Sequence, residues 1–158
     1  MQGRGKRMGE QTIPRIGEGQ RGEEGHIAYL LRQASASVRH RLECAFGESG
    51  ITLPQFTMMT ILKAYPGITG ADLARITLLT PQTVNVITAN LLKRGAISRS
   101  RAPQDKRAFV LSLSEAGAQD LAVCRAIADR IEEDYVTGFN PQEQAVIRRW
   151  LVAVAQKN

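Results

Sequence analysis

Apolar residues recur at three- and four-residue spacing along most of this chain, and at two-residue spacing in one short stretch. From about Glu23 to Gly47, Ile27, Leu31, Ala34, Val38 and Leu42 form one helical stripe, flanked by Tyr29, Leu30 and Phe46. Its other face is cationic, with Arg32, Arg39, His40 and Arg41, and Gly47 and Gly50 end it. A second helix is predicted from Thr52 to Ala64, with Pro54 in its first turn and Phe56, Met59, Ile61 and Leu62 facing a core. Pro66-Gly67 is a turn. Thr69 and Asp72 have the spacing of a capping box, with Asp in place of Glu. They start a short helix that presents Leu73, Ala74 and Ile76. After a turn over 77–79 comes the stretch Thr80–Gly95. Thr80 is placed to cap it and Pro81 suits its first position. Val84, Ile87, Leu91 and Leu92 make its apolar face, and Lys93, Arg94 and Gly95 close it.

Two short helices joined by a tight turn make a helix-turn-helix pattern, in which the second helix enters a DNA groove. Gln82, Thr83 and Asn85 lie mostly off its apolar face near the N-terminal end. They are short, uncharged donors and acceptors of the kind that read base edges. Ala96–Arg99 is a short extended piece, residues 100–107 are a polar, basic tip, and Phe109, Leu111 and Leu113 alternate as one strand face. Together they predict a β-hairpin, a wing. Ser114 can cap a further helix reaching about Val136, in which Leu121, Cys124, Ala128, Ile131 and Tyr135 follow the four–three spacing of a helix packed along a partner. Asn140, Pro141 and Glu143 start a last helix. Val146, Trp150 and Val154 share one of its faces, with Ile147 and Leu151 beside them. A terminal helix this apolar needs a partner surface.

The length of 158 residues allows one domain, or one core with a helical extension. Charge sharpens the picture. Of the net +6, residues 93–107 carry +5 and residues 1–22 carry +3, so everything else is slightly acidic. A basic strip directly after a candidate recognition helix is the electrostatic footprint of a nucleic-acid contact. Residues 1–22 hold Gly, Arg and Gln with scattered apolar side chains, too few to offset the entropy of ordering, and read as a disordered tail. No apolar run approaches a membrane span and none follows the basic N-terminus as in a secretory signal, so the expectation is a cytoplasmic protein with no membrane. Cys44 and Cys124 make no disulfide framework and read as reduced thiols. Nothing in the sequence has the spacing of a metal site, a phosphate-cradling loop or a catalytic set. The expectation is no cofactor, no metal and no enzymatic activity. Glu132-Glu133-Asp134, beside Asp129 and Arg130, reads as a solvated charged face.

Residues from about 51 to 117 resemble the winged helix-turn-helix of the MarR family of bacterial transcription regulators. The matching pieces run in order: "ITLPQFTMMTIL", "TGADLARIT", "TPQTVNVITANLLKRGAISR" and "PQDKRAFVLSLSEAG". The last is the most specific, with Asp105-x-Arg107 in the wing, then a strand, then a Leu-Ser-Glu-x-Gly helix start. The flanking helices extend the resemblance over nearly all of 25–156. The resemblance implies a mainly α fold with a small β-hairpin, a winged helix-turn-helix joined to a helical dimerisation region. Residues 1–22 would be tail, 23–50 an N-terminal dimerisation helix, 51–113 the DNA-binding region, and 114–158 the C-terminal dimerisation helices. It implies a homodimer, with Ile147, Trp150 and Leu151 in the interface, on double-stranded DNA with a pseudo-palindromic operator.

The DNA-binding residues would be Thr80, Pro81, Gln82, Thr83 and Asn85 in the helix, and Arg101, Lys106 and Arg107 in the wing. Asp105 would orient an arginine. The chain departs from the family at Val86 and Asn90, near places where members often carry polar or basic groups, so readout leans on Gln82, Thr83 and Asn85. The resemblance also implies a small-molecule effector, an anionic aromatic acid or its CoA thioester, that relieves repression. Arg32, Arg39 and His40 would meet a carboxylate or phosphate, with Phe56 and Met59 nearby. Alternatives are a cysteine-based redox sensor and a dimeric interaction module that no longer reads DNA. The sensor is disfavoured by Cys124 on an apolar stripe and by Glu43 beside Cys44. The module is disfavoured by the basic wing.

Overall fold

The computed structural model describes residues 13–102 and 108–157. In order, the main elements are α1 (Ile27–Phe46), α2 (Leu53–Ala64), β1 (Ile68–Thr69), α3 (Gly70–Thr77), α4 (Pro81–Arg94), β2 (Ile97–Arg101), β3 (Phe109–Leu113), α5 (Glu115–Val136) and α6 (Pro141–Ala155). None of the described helices is long and apolar enough to cross a membrane. The chain divides into two compact units, one ending at His40 and one starting at Arg41.

In the first unit, residues 13–22 carry turns and a short 3-10 helix, Gly19–Arg21, where the sequence predicts a disordered tail. The contacts are polar. The Arg21 guanidinium donates to the Pro14 carbonyl at 2.8 Å and to Gln33 Oε1 at 3.4 Å, and the Arg15 amide donates to Glu18 Oε2 at 2.8 Å. Ile13 and Ile16 stay exposed, so this segment is held without an apolar core. The rest of the predicted tail, residues 1–12, lies outside the described residues.

The second unit holds the core. Its centre is Met58, Met59 and Leu62 of α2, Leu73 of α3 and Leu91 of α4, all fully buried. Phe46 from the end of α1 and Leu121 and Cys124 from α5 belong to the same core, so it draws on residues either side of positions 50 and 113. α2 through α6 each start where a local cap supplies partners for amides that have none within the helix. Thr52 with Gln55, Thr69 with Asp72, and Asn140 with Glu143 form full capping boxes. The Thr69 hydroxyl and amide, both donating to the Asp72 carboxylate, hold it below its usual range, with Arg75 adding to the effect.

The sheet has three antiparallel strands in the order β1-β3-β2. The wing hairpin is as predicted in outline, with Ile97 opposite Leu113 and Arg101 opposite Phe109. β1 has no counterpart in the sequence reading. Its two residues are too few to show a period, and it exists because Ile68 and Thr69 pair with Leu111 and Val110.

The start of α5 is pressed against the end of α4. Ser114 caps α5 by accepting from the Gly117 amide at 3.0 Å, while its hydroxyl donates to the Gly95 carbonyl at 2.6 Å. The Ser114 amide donates to the Ala96 carbonyl at 3.0 Å. Arg94 clamps the same junction. Its Nε and Nη2 reach the Asp120 carboxylate at 2.7 and 3.3 Å, and the guanidinium also approaches the carbonyls of Ser49 and Gly50. The Asp120 hydrogen bonds raise the Arg94 pKa above its ordinary value.

α6 contributes no buried residue. Val146, Ile147, Trp150, Leu151 and Val152 are all exposed large apolar side chains. Of the acidic run before it, Glu132 pairs with Arg148 at 3.1 Å and Asp134 with Arg41, and all three residues of Glu132-Glu133-Asp134 are exposed, which agrees with a solvated charged face.

Candidate nucleic-acid interface

The α3–α4 corner is set by three residues. Leu78 adopts a left-handed conformation (φ 56°), unusual for a branched side chain, and its amide closes α3 on Ala74. The Leu79 amide also donates to the Ala74 carbonyl, at 3.2 Å. Thr80 then caps α4, accepting from the Thr83 amide at 3.2 Å. Val84, Ile87 and Leu91 anchor the buried stripe of α4, so the opposite line of the helix, at Gln82, Val86, Ala89 and Lys93, points away from the core.

Of the residues expected at base edges, Gln82, Thr83 and Asn85 are all exposed, as are Thr80 and Pro81. They are not equivalent. The Thr83 hydroxyl is hydrogen-bonded to the Thr80 hydroxyl at 2.9 Å, so both threonines are engaged in the cap. Gln82 and Asn85 carry the amide side chains of this end of α4. Val86 at 62% exposure is a large apolar side chain in the middle of the outward line.

The wing carries a second charged feature. The Arg99 guanidinium lies 3.7 Å from the centroid of the Phe109 ring, and that of Arg101 lies 5.4 Å from it. A cation over an aromatic face is attracted by the ring quadrupole. Arg101 was expected here, while Arg99 was not among the predicted contacts. The strand register explains its place: Arg101 is opposite Phe109 and Arg99 is two residues along the same face. Two-residue alternation in both strands was the available signal. Phe109 shares a strand face with Leu111 and Leu113, as the alternation predicts; Leu111 is buried, Leu113 packs against the core, and Phe109, at the open end of β3, is exposed beneath the arginines. Asp105, Lys106 and Arg107 lie outside the described residues.

The residues implied for an effector fall in both units. In the first, Arg32 lies 5.4 Å over the Tyr29 ring, and Arg39 and His40 are exposed on α1. In the second, Phe56 packs against Phe46 with ring centroids 5.0 Å apart and lies under Arg125 at 5.6 Å. Met59 faces the core, as the helical stripe predicts, and is fully buried there beside Met58 and Leu62. Cys124 is likewise buried, its Sγ 3.6 Å from Ser49 Oγ, without the access a sensor thiol needs. Cys44 is exposed.

A capped helix with an outward polar N-terminal face, reached through a tight turn and followed by a strand hairpin carrying stacked arginines, defines a winged helix-turn-helix DNA-binding protein. The chain belongs to the MarR family, whose sequence pattern matches residues 51–109, and is a DNA-binding transcription regulator rather than an enzyme. It is 31% identical over 110 residues to the HTH-type transcriptional repressor Rv2887 of Mycobacterium tuberculosis, covering 70% of this chain and 74% of that one. Its fold is similar to that of MepR from S. aureus, solved in complex with DNA (TM-score 0.76, 23% identity, 84% of this chain and 98% of the other). It is similar also to CouR from Rhodococcus jostii RHA1 bound to p-coumaroyl-CoA (TM-score 0.78, 19% identity, 85% and 95%).

Proposed function

We propose that this regulator acts in the cytoplasm as a homodimeric repressor on a pseudo-palindromic operator, and that a small anionic aromatic ligand or its CoA thioester releases it. The observation that carries the DNA reading is α4 itself, whose buried stripe leaves Gln82 and Asn85 outward at the N-terminal end. The exposed apolar face of α6 supports the dimer. Two copies of α4 then meet half-sites about one helical turn apart, ~34–36 Å. Repression is supported by the name of the Rv2887 relative, and an aromatic acyl-CoA by the ligand of CouR.

The test separates reading from anchoring. Operators are first selected from a random duplex pool with the full chain. Asn85→Ala removes a bidentate partner suited to adenine, and is expected to cost ~1–3 kcal/mol on the operator and to relax preference at one base pair per half-site. Arg101→Ala is expected to weaken operator and random DNA alike and to reduce the slope of log affinity against log salt by about one. Affinities across a salt series check both. Like behaviour of the two variants would refute the division between a reading helix and an anchoring wing.

The effector is expected to act through the cationic face of α1. It can release DNA only by binding the DNA-incompetent state more tightly, with coupling typically of ~1–3 kcal/mol. Arg39→Ala should reduce release by p-coumaroyl-CoA or a free aromatic acid while ligand-free DNA affinity stays near wild type. Full release from the variant would exclude this face.

A further inference from the structure

We propose that Val86 reads the 5-methyl group of a thymine, and so supplies a sequence preference that the polar residues of α4 do not. The inference rests on the reading that α4 enters the major groove. On the outward line of α4, Gln82 and Lys93 are the polar ends and Val86 and Ala89 are the exposed middle. Val86 is 62% exposed, one turn beyond Gln82 and next to Asn85. It lies outside the buried core cluster of this unit. Its exposed neighbours one turn away on the same side of the helix are Gln82, Thr83, Ala89 and Asn90, a mostly polar surface that fits base edges rather than another apolar helix. In the major groove the thymine methyl is the apolar feature of a base edge, and an aliphatic side chain is its natural contact. Thr80 and Thr83, which also carry methyls near this end, are held to each other through their hydroxyls in the cap. Of the two exposed aliphatic residues on the outward line, Val86 has the larger side chain and lies nearer Gln82 and Asn85.

The experiment uses the full chain and operators selected from a random duplex pool. Each thymidine is replaced in turn by deoxyuridine, which pairs identically and lacks only the methyl group. Wild type is expected to lose about fourfold in affinity at one thymine per half-site, the value for one methyl-sized apolar contact. Val86→Ala should bind thymine and uracil duplexes equally at that position. It leaves the helix intact, since alanine is a better helix former than valine. Val86→Ile should restore the discrimination. Asn85→Ala, run in parallel, should keep the thymine–uracil ratio while losing preference elsewhere. A wild-type protein indifferent to every uracil substitution, or a Val86→Ala protein that keeps the full ratio, overturns the proposal. If Asn85→Ala still changes sequence preference in that event, the groove reading stands and only the role of Val86 fails. If no α4 substitution changes preference, the groove reading fails as well.

Discussion

A chain ending at Gly138 is expected to be a folded monomer whose operator affinity is lower by about two to four orders of magnitude. The structure separates the two outcomes. The buried core of the second unit takes side chains from α1 through α5 and none from α6, so losing α6 removes no packing from the winged region. What α6 does offer is Ile147, Trp150 and Leu151, exposed at 37%, 38% and 43%. An aromatic flanked by branched aliphatics on one helix face has the composition of an interface centre. Two linked half-site contacts exceed one by about 10²–10⁴ through effective concentration alone, and a monomer forfeits that factor. Trp150→Ala is the milder version, expected to weaken association by ~2 kcal/mol or more. Sedimentation and operator binding check both. A truncated chain that remains dimeric and binds with full affinity would assign the dimer to other surfaces.

Gly117→Ala is expected to destabilise the winged region by ~1–3 kcal/mol, toward the upper end, and to lower Tm by about 2–4 °C for each of those kcal/mol. A Cβ at this position would lie 1.9 Å from the Ala96 carbonyl oxygen and 2.7 Å from its carbon. The obstacle is backbone, and it is pinned. The Ala96 carbonyl accepts from the Ser114 amide, Ala96 is fully buried, and Ile97 beside it starts β2. Relief would require moving α5 off the end of α4 or shifting the wing. DNA affinity should therefore fall with stability even though Gly117 is far along the chain from α4. Thermal unfolding with and without operator checks this. An unchanged Tm would mean that the junction gives way at little cost.

The helix starts were legible because a cap is a local device. Thr69 with Asp72, Asn140 with Glu143, and Thr80 ahead of Pro81 each act within three residues, and the structure contains every one of these contacts. The same holds for Gly95, which ends α4 in a left-handed conformation. The stripe Val84, Ile87, Leu91 was legible because the helical period repeats within the segment, and it fixes which way Gln82 and Asn85 must point. The Ser-Glu-x-Gly start of α5 was legible as a motif but not as a reason. Its glycine answers to Ala96, a residue it meets only through tertiary packing.

What the chain alone determined, then, is the set of helices and the wing hairpin, the helix caps and the polar end of α4, because these depend on neighbours within a few residues. Tertiary structure decided the rest. Two-residue β1 forms only against β3, and the strand register sets Phe109 beneath Arg99 and Arg101. Arg94 ties α4 to Asp120, a residue distant in sequence. For Val86 the stripe sets the direction and the packing sets the outcome: with Val84, Ile87 and Leu91 buried against other elements, it is left exposed beside Gln82 and Asn85. Local chemistry sets where a helix begins; which of its faces remains free depends on the segments folded against it.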